Sequence, residues 1–541
     1  MPKKTIAGNE LRIICYMDSM GYDCLKYECQ MFKLDFTNWK DLFESVRPHI
    51  FLVYTCWGGM HKNLLDLCKS KDTGEENIFD WCKKNSVPTV YWNQEDPVSF
   101  NTFFNIAKYF DYVYTTDSDC IDKYRSQLRH NRVYVMPHLI QPLIHNPIDK
   151  NENKLNNVGF AGVWYAMRPN RTKDMEMLFD AASKYGLDIY NRMYYVNYTP
   201  AYKFPDKYNY FIKPSVSFER MGHLYKGYNV FLTVSTVTSS PTMFSRRGSE
   251  ALANGTCVIS SPAVSIKLLF NDIINIADNI EQADKLLSQL LNNKDLMERK
   301  SLLGQRCIFN NYCYERFVTD ILNNTGLTSM IKTEPGVSVI CILKNIGNLH
   351  KILYCYNNQT IKDKELVLLT DQEVNVPDTS ANKYIKVIPV DKNTSRKRLI
   401  EIAVGNSKHE ACSIFDENDL YCKDFLNDMM NTFKYSEAEV CGKHTYFSLV
   451  EGKVSLLNDG NEYKYSNCAC CNAFVFNKDS LPEINSILEE GKELLSFTNI
   501  GDKFMYSSDK FNYLKNGADI IPANVDDVAL RQNSMVKFVL V

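Results

Sequence analysis

The sequence predicts an α/β protein with two consecutive doubly wound parallel-sheet domains and a third α/β unit after them. Three observations carry this. From residue 11 to about 325, short apolar runs alternate with amphipathic helical segments, the order expected when helices connect parallel strands. The polar stretch Asp149-Lys150-Asn151-Glu152-Asn153-Lys154-Leu155-Asn156-Asn157 breaks the alternation and reads as a linker. After Lys332-Thr333-Glu334-Pro335 the pattern starts a third time. A chain of 541 residues also exceeds what one core organises. Domains are expected at 1–148, 149–330 and 335–541.

The first domain opens with the buried-type strand Leu11 to Asp18, then an amphipathic helix around Trp39 to Val46 and the strand His49 to Tyr54. A loop with Trp57-Gly58-Gly59 follows, then a helix near Ile78 to Lys84, the strand Pro88 to Trp92 and a helix near Phe100 to Tyr109. Tyr112 to Thr116 and Val133 to Met136 complete that set. The second domain begins at Val158-Gly159-Phe160-Ala161-Gly162, and Tyr225 to Ser235 reads as a later strand. In the third, Val337 to Leu343 and Glu365 to Thr370 are strands around an amphipathic segment near Leu349 to Tyr356. Ligands of doubly wound sheets bind beyond the carboxyl ends of strands. The loops at Trp57, Asn93, Asp117, Gly162 and Thr242 are placed there.

Composition excludes several classes. The net charge of −2 and the absence of a basic tail argue against a nucleic-acid partner. No stretch has the length of a transmembrane helix, and the polar N-terminus has no signal-peptide character. The 18 cysteines are scattered through apolar runs, as fits reduced, buried thiols in a cytoplasmic protein. Cys468-Ala469-Cys470-Cys471 lacks a second pair at zinc spacing and reads as a small-residue strand.

The chemistry concentrates in Ser239-Ser240-Pro241-Thr242-Met243-Phe244-Ser245-Arg246-Arg247-Gly248-Ser249-Glu250-Ala251-Leu252-Ala253-Asn254-Gly255-Thr256. Arginines at a helix start suit phosphate oxygens, beside the amide donors and the positive end of the helix dipole. A carboxylate one turn on can accept from sugar hydroxyls. Together they describe a pocket for a nucleoside diphosphate. Arg246 and Arg247 point about a third of a turn apart, and Arg246 is favoured for phosphate. Gly162 lets the backbone approach a pyrophosphate. Arg168 and Arg171 offer another phosphate contact or, alternatively, a solvated face paired with Asp174.

On the facing wall, Tyr91-Trp92-Asn93-Gln94-Glu95-Asp96-Pro97 delivers carboxylates from a strand end. Glu95 can orient an acceptor hydroxyl or act as general base. Asp96 reads equally well as the cap of the next helix. His138, in Met136-Pro137-His138, is a second candidate catalytic group.

The Ser240 to Thr256 block resembles the donor-site signature of CgeB-like, spore-maturation type glycosyltransferases, and the resemblance spans about residues 11 to 325. It implies a GT-B fold of two Rossmann-like domains, with Glu250 holding the donor ribose. Many relatives carry another glutamate eight positions earlier, where this chain has Thr242. The implied enzyme is a hexosyl- or N-acetylhexosaminyltransferase using a UDP- or GDP-linked sugar and acting on a protein or on a cell- or spore-surface glycan. No cofactor is expected for the GT-B half, since arginines and helix amides neutralise the leaving diphosphate.

The run Asn358-Gln359-Thr360 through Leu369 is similar to the opening of family-2 glycosyltransferases of GT-A type. That resemblance implies Mg2+ or Mn2+ at Asp416 and Asp419 if the domain is active. Asn418 replaces an expected aspartate, and Glu490-Gly491-Lys492-Glu493 puts lysine where the base motif has acid. Degeneracy of this domain is therefore expected. Two alternatives remain: a bifunctional transferase, or a non-catalytic glycan- or partner-binding protein on decayed domains.

Overall fold

The computed structural model describes residues 10–70, 76–152, 154–196, 200–331, 335–376, 384–488, 492–498, 500–521 and 535–541. They form two compact units. The larger contains residues 5–146 and 152–332; the other is built mainly from 333–541 with 147–151.

The larger unit holds two parallel sheets. The first has β1 (Arg12–Tyr16), β2 (Gln30–Lys33), β3 (Ile50–Tyr54), β4 (Thr89–Asn93), β5 (Tyr112–Thr115) and β6 (Val133–Val135), in the order β2-β1-β3-β4-β5-β6. All five pairings are parallel. The run Ile50-Phe51-Leu52-Val53-Tyr54 is buried throughout because helices cover both faces. Phe51 meets Phe43 of helix Trp39–Val46 edge-on at 5.6 Å and Phe110 in a stack at 6.2 Å. Helix Ile78–Lys84 starts at a reciprocal capping box of Asn77 and Asp80.

The second sheet has β7 (Asn156–Gly162), β8 (Leu187–Asn191), β9 (Ile212–Lys213), β10 (Tyr228–Thr233), β11 (Cys257–Ser260) and β12 (Asn275–Ile276). Its order, β12-β11-β10-β7-β8-β9, is again wholly parallel. The chain winds outward from β7 in one direction and from β10 in the other. The crevice beyond the carboxyl ends of β7 and β10 is therefore the topological switch point.

Two features differ from the sequence reading. Asn156 and Asn157, read as linker, begin β7, where Asn157 Nδ2 donates to the Tyr185 carbonyl at 2.9 Å. Asn153 lies outside the described residues. Helix Tyr314–Thr325, assigned to the second domain, packs on the first sheet. Its Phe317 lies 4.3 Å from Trp92 and 5.3 Å from Tyr114 between ring centroids. Asn324 Nδ2 donates to Tyr114 Oη at 2.9 Å.

The other unit has β13 (Val337–Ile342), β14 (Lys364–Thr370), β15 (Ile385–Pro389) and β16 (Ala411–Phe415), parallel in the order β15-β14-β13-β16. Beyond β16, strands Phe474–Asn477, Val440–Gly442, Met505–Ser507 and Lys464–Tyr465 complete a mixed eight-stranded sheet. Cys468–Cys470 is a strand paired with Leu494–Ser496, and the 18 cysteines are thiols, 16 of them buried. Of the stretches read at this domain's boundary and base motif, Lys332, Thr333, Glu334, Glu490 and Gly491 lie outside the described residues. Among the described residues, no helix is long and apolar enough to cross a membrane.

Candidate functional site

The loop after β10 leads into helix Arg246–Ala253, whose N-cap, Ser245, makes no side-chain cap. The Gly248 N–H is taken by the Ser245 carbonyl at 3.0 Å, while no side chain caps the amides of Arg246 and Arg247 ahead of it. Arg246 and Arg247 occupy this turn, and Glu250 follows one turn later on the face of Arg246. The helix closes at Asn254 and Gly255, where a φ of 74° suits glycine. Around its start lies a cavity of about 230 Å³. Ala161 and Gly162 line it from β7, Tyr190 and Arg192 from the end of β8, and Phe218 and Tyr225 from helix Phe218–Lys226, together with Arg246, Arg247 and Glu250. A Cβ on Gly162 would fall 2.8 Å from the Phe160 ring, so any other residue here would have to displace that ring.

Glu250 is 3 % exposed. Tyr225 Oη donates to its Oε2 at 2.6 Å. Its Oε1 lies 2.7 Å from Arg246 Nε and 3.8 Å from His145 Nε2. The arginine contact is charge pairing without an aligned hydrogen bond, which leaves Oε1 a buried acceptor without a donor. Burial alone would raise the carboxyl pKa, but Arg246, His145, Tyr225 and Arg247 together hold it below the ordinary value. Glu250 is therefore a carboxylate at neutral pH.

Positive charge converges beside it. Arg171 is 5 % exposed and donates from Nη1 to the Val163 carbonyl at 2.9 Å. Burial pushes its pKa down to about 10, with Arg247, Arg168 and Arg192 adding to the fall. Arg171 thus turns inward, away from a solvated face. The Nε atoms of Arg171 and Arg247 are buried without partners. Of the two, Arg247 lines the cavity, and an unpaired guanidinium donor at a helix start is chemically suited to a multiply charged anion such as a diphosphate.

The other predicted residues have different surroundings. His138 lies close enough to the block to feel it: burial pushes its pKa down to about 3, Arg246 and Arg247 contribute, and Glu250 opposes them. It is a neutral imidazole with little basicity. Glu95 sits half-buried at the end of β4, its backbone N–H donating to Asn93 Oδ1 at 3.1 Å. Trp57 is 56 % exposed and packs edge-on against Phe103 at 4.9 Å. Asn93 is fully buried and donates to Asp96 Oδ1 at 2.8 Å and Tyr124 Oη at 2.9 Å. Asp96 caps no helix; helix Phe100–Ala107 starts after Ser99. It is instead a fully buried hub that also accepts from Thr115 at 2.7 Å and Tyr124 at 3.0 Å.

Thr242 and Asp117 clasp the two sheets together. Ser118 N–H donates to Thr242 Oγ1 at 2.9 Å, and that hydroxyl donates to the Thr116 carbonyl at 2.9 Å. Ser240 Oγ donates to Asp117 Oδ1 at 2.6 Å. Neither Thr242 nor Asp117 lines the cavity. Thr242→Val is expected to lower stability by about 1–3 kcal/mol, since it strips partners from a backbone donor and acceptor, and to leave nucleotide affinity unchanged. Denaturant melts paired with nucleotide titration would check this; a tenfold affinity loss at unchanged stability would make Thr242 a ligand contact.

Sequence reasoning missed Arg192, Tyr225 and His145. Arg192 directly follows a strand, a signal that could have marked it. Tyr225 was read as strand and lies in a helix, while His145 carries no local signature.

In the other unit, Asp416 and Asp419 follow β16. Asp419 is 2 % exposed; Tyr513 Oη and Asn472 Nδ2 donate to its Oδ2 at 2.7 and 3.1 Å, and Asn516 N–H to its Oδ1 at 2.8 Å. Burial raises its pKa to about 6. Asp416 Oδ1 accepts from the backbone and side-chain nitrogens of Asn418, both at 3.0 Å. These donors engage both oxygens of Asp419 and one of Asp416, so Asp419 in particular fits a divalent cation poorly. Glu493 pairs with Lys515 at 2.9 Å.

No curated protein matches the chain. Among solved structures it is similar to sucrose-phosphate synthase from Thermosynechococcus elongatus, at 12 % identity over 54 % of this chain and 76 % of that one, TM-score 0.37. It is similar to TarM at 12 % identity over 51 % and 54 % of the two chains, TM-score 0.35. A glycosyltransferase from Rickettsia africae matches at 10 % identity over 59 % and 99 %, TM-score 0.36. Residues 171–323, which include Arg171, Arg192, Tyr225, Arg246, Arg247 and Glu250, match the family model described as glycosyl transferase-like.

Proposed function

We propose that the larger unit is a GT-B glycosyltransferase of CgeB-like type that binds a nucleotide-sugar donor around helix Arg246–Ala253. The observation carrying this is Glu250: a buried carboxylate with one oxygen lacking a donor, facing a cavity rimmed by arginines at a switch point. A ribose diol supplies the hydroxyl donors Oε1 lacks. The diphosphate takes the unpaired Arg247 guanidinium that lines the cavity and the amides of Arg246 and Arg247 at the helix start, which stabilise the charge that grows on the leaving group. The proposed donors are UDP- or GDP-linked hexoses or N-acetylhexosamines, with a protein or surface glycan as acceptor. The first sheet, with exposed Trp57 and half-buried Glu95, is the proposed acceptor side. Thiols that are largely buried support a reducing, cytoplasmic setting.

The other unit is read as a degenerate GT-A-like domain. Its mixed sheet and the acidic run after β16 support the kinship, and the engaged oxygens of Asp419 support the loss of function. A second reading, a non-catalytic glycan-binding protein, draws on that same loss.

The test is a panel of UDP- and GDP-sugars incubated with purified protein, with free nucleotide and thermal shift as readouts. Turnover by the wild type, its loss in Glu250→Ala and its persistence in Asp416→Ala is the expected pattern. The reverse pattern would move the active site to the C-terminal unit. No turnover and no thermal shift by UDP or GDP would leave the binding-protein reading standing.

A further inference from the structure

Glu250 has a neighbour that the proposed donor chemistry does not use. His145 is 1 % exposed, and neither ring nitrogen makes a hydrogen bond. An imidazole buried without any partner is costly, yet this one is held firmly. The backbone N–H of His145 donates to the Gln141 carbonyl at 2.8 Å, and Gln141 Nε2 is fixed by the Cys24 carbonyl and Glu28 Oε1, both at 2.8 Å. The turn also abuts helix Phe218–Lys226, where a Cβ on Gly222 would fall 2.8 Å from the Ile144 carbonyl. Phe218 bounds the ring at 5.7 Å between centroids. What the ring faces is Glu250 Oε1, 3.8 Å from Nε2 and slightly beyond hydrogen-bond length.

The same Oε1 is paired with Arg246, whose side chain lines the cavity. A bound diphosphate and Glu250 would compete for that guanidinium. If the arginine turns to phosphate, a buried carboxylate loses its closest cation and needs another donor. Among the described residues, the basic side chains within 4 Å of Glu250 are Arg246 and His145.

We propose that His145 is a positioning residue for Glu250: its Nε2–H takes Oε1 when an anionic ligand draws Arg246 away, and so keeps the carboxylate charged and aimed at the ligand's sugar diol. The proposal rests on the donor site placed above. Burial keeps the imidazole neutral, pushing its pKa down to about 4 with Arg246 and Lys226 adding and Glu250 opposing. Neutral imidazole has one N–H to give, and the geometry calls for the Nε2 tautomer. Glu250 itself faces Arg246 and Arg247 from its own helix, Tyr225 from helix Phe218–Lys226, and His145 from the connecting turn, with His138 after β6 and Cys24 of helix Ser19–Leu25 also in electrostatic reach.

UDP and GDP titrations across pH 4 to 8 on wild type, His145→Phe and His145→Gln test this. The phenylalanine removes the N–H while filling the site; the glutamine restores a donor of similar reach. His145→Phe is expected to weaken binding by about tenfold and to move the acid limb of affinity up by about one pH unit, because bound Glu250 has lost a donor. His145→Gln should bring both back to near wild type. A merely structural role would lower the melting temperature without moving the limb. Wild-type affinity and an unmoved limb in His145→Phe would overturn the proposal. A wild type that binds neither nucleotide would overturn the donor reading itself, which is a separate and visible result.

Discussion

Glu250→Gln is expected to weaken nucleotide affinity by about 10- to 100-fold while preserving the fold. Glutamine keeps the shape and an oxygen for Tyr225 but removes the charge that makes Glu250 a strong acceptor. Hydrogen bonds to charged groups contribute about 1.5–3 kcal/mol, and each 1.4 kcal/mol is tenfold in affinity. Alanine is the blunter probe, since breaking a buried pair leaves Arg246 uncompensated and costs stability as well. The cleaner measurement compares a ribonucleotide with its 2′-deoxy analogue in wild type and Glu250→Gln. If Glu250 reads the sugar diol, the wild type discriminates and the variant does not. Equal discrimination in both proteins would place the sugar elsewhere.

Asp96→Ala should be the most destabilising single change in the first sheet, by about 3–5 kcal/mol, because Asn93, Thr115 and Tyr124, all fully buried, would lose their shared acceptor. A fall in melting temperature on the order of 10 °C is the corresponding readout. Asp96→Asn behaves differently. Burial raises the Asp96 pKa to about 7, with the Thr115 and Tyr124 hydrogen bonds opposing. The folded chain thus holds this proton more tightly than the unfolded chain. Its contribution is fully present below about pH 4 and is lost as pH rises to about 7, on the order of 4 kcal/mol in all. His138 and His145 act oppositely, since the unfolded chain protonates them first and stability falls from about pH 6.5 downward. Urea midpoints of wild type and Asp96→Asn between pH 4 and 8 separate the two trends. The difference should favour the variant increasingly as pH rises; a flat difference would refute the raised pKa.

Strand and helix periodicity made most of the larger unit legible, since Ile50–Tyr54 and Trp39–Val46 announce themselves by local pattern alone. The edge strand β2 was not, because Gln30-Met31-Phe32-Lys33 is polar at both ends and takes its structure from pairing with β1. The arginine–glutamate helix could be read for the same local reason, with cap, charge and small residues in one run. His145 could not, because its meaning depends on a residue 105 positions away that only the fold brings near. Asp96 was legible as a carboxylate at a strand end, but not as a hub, since Thr115 and Tyr124 lie on other elements.

The return of helix Tyr314–Thr325 to the first sheet also sets an order of events during synthesis. Trp92 and Tyr114 wait for Phe317, so the N-terminal sheet cannot finish its core when its own last strand leaves the ribosome. At ordinary elongation rates the delay between residue 146 and residue 325 is roughly 10–35 s. During that interval the aromatic face that Phe317 covers in the finished protein lacks its cover.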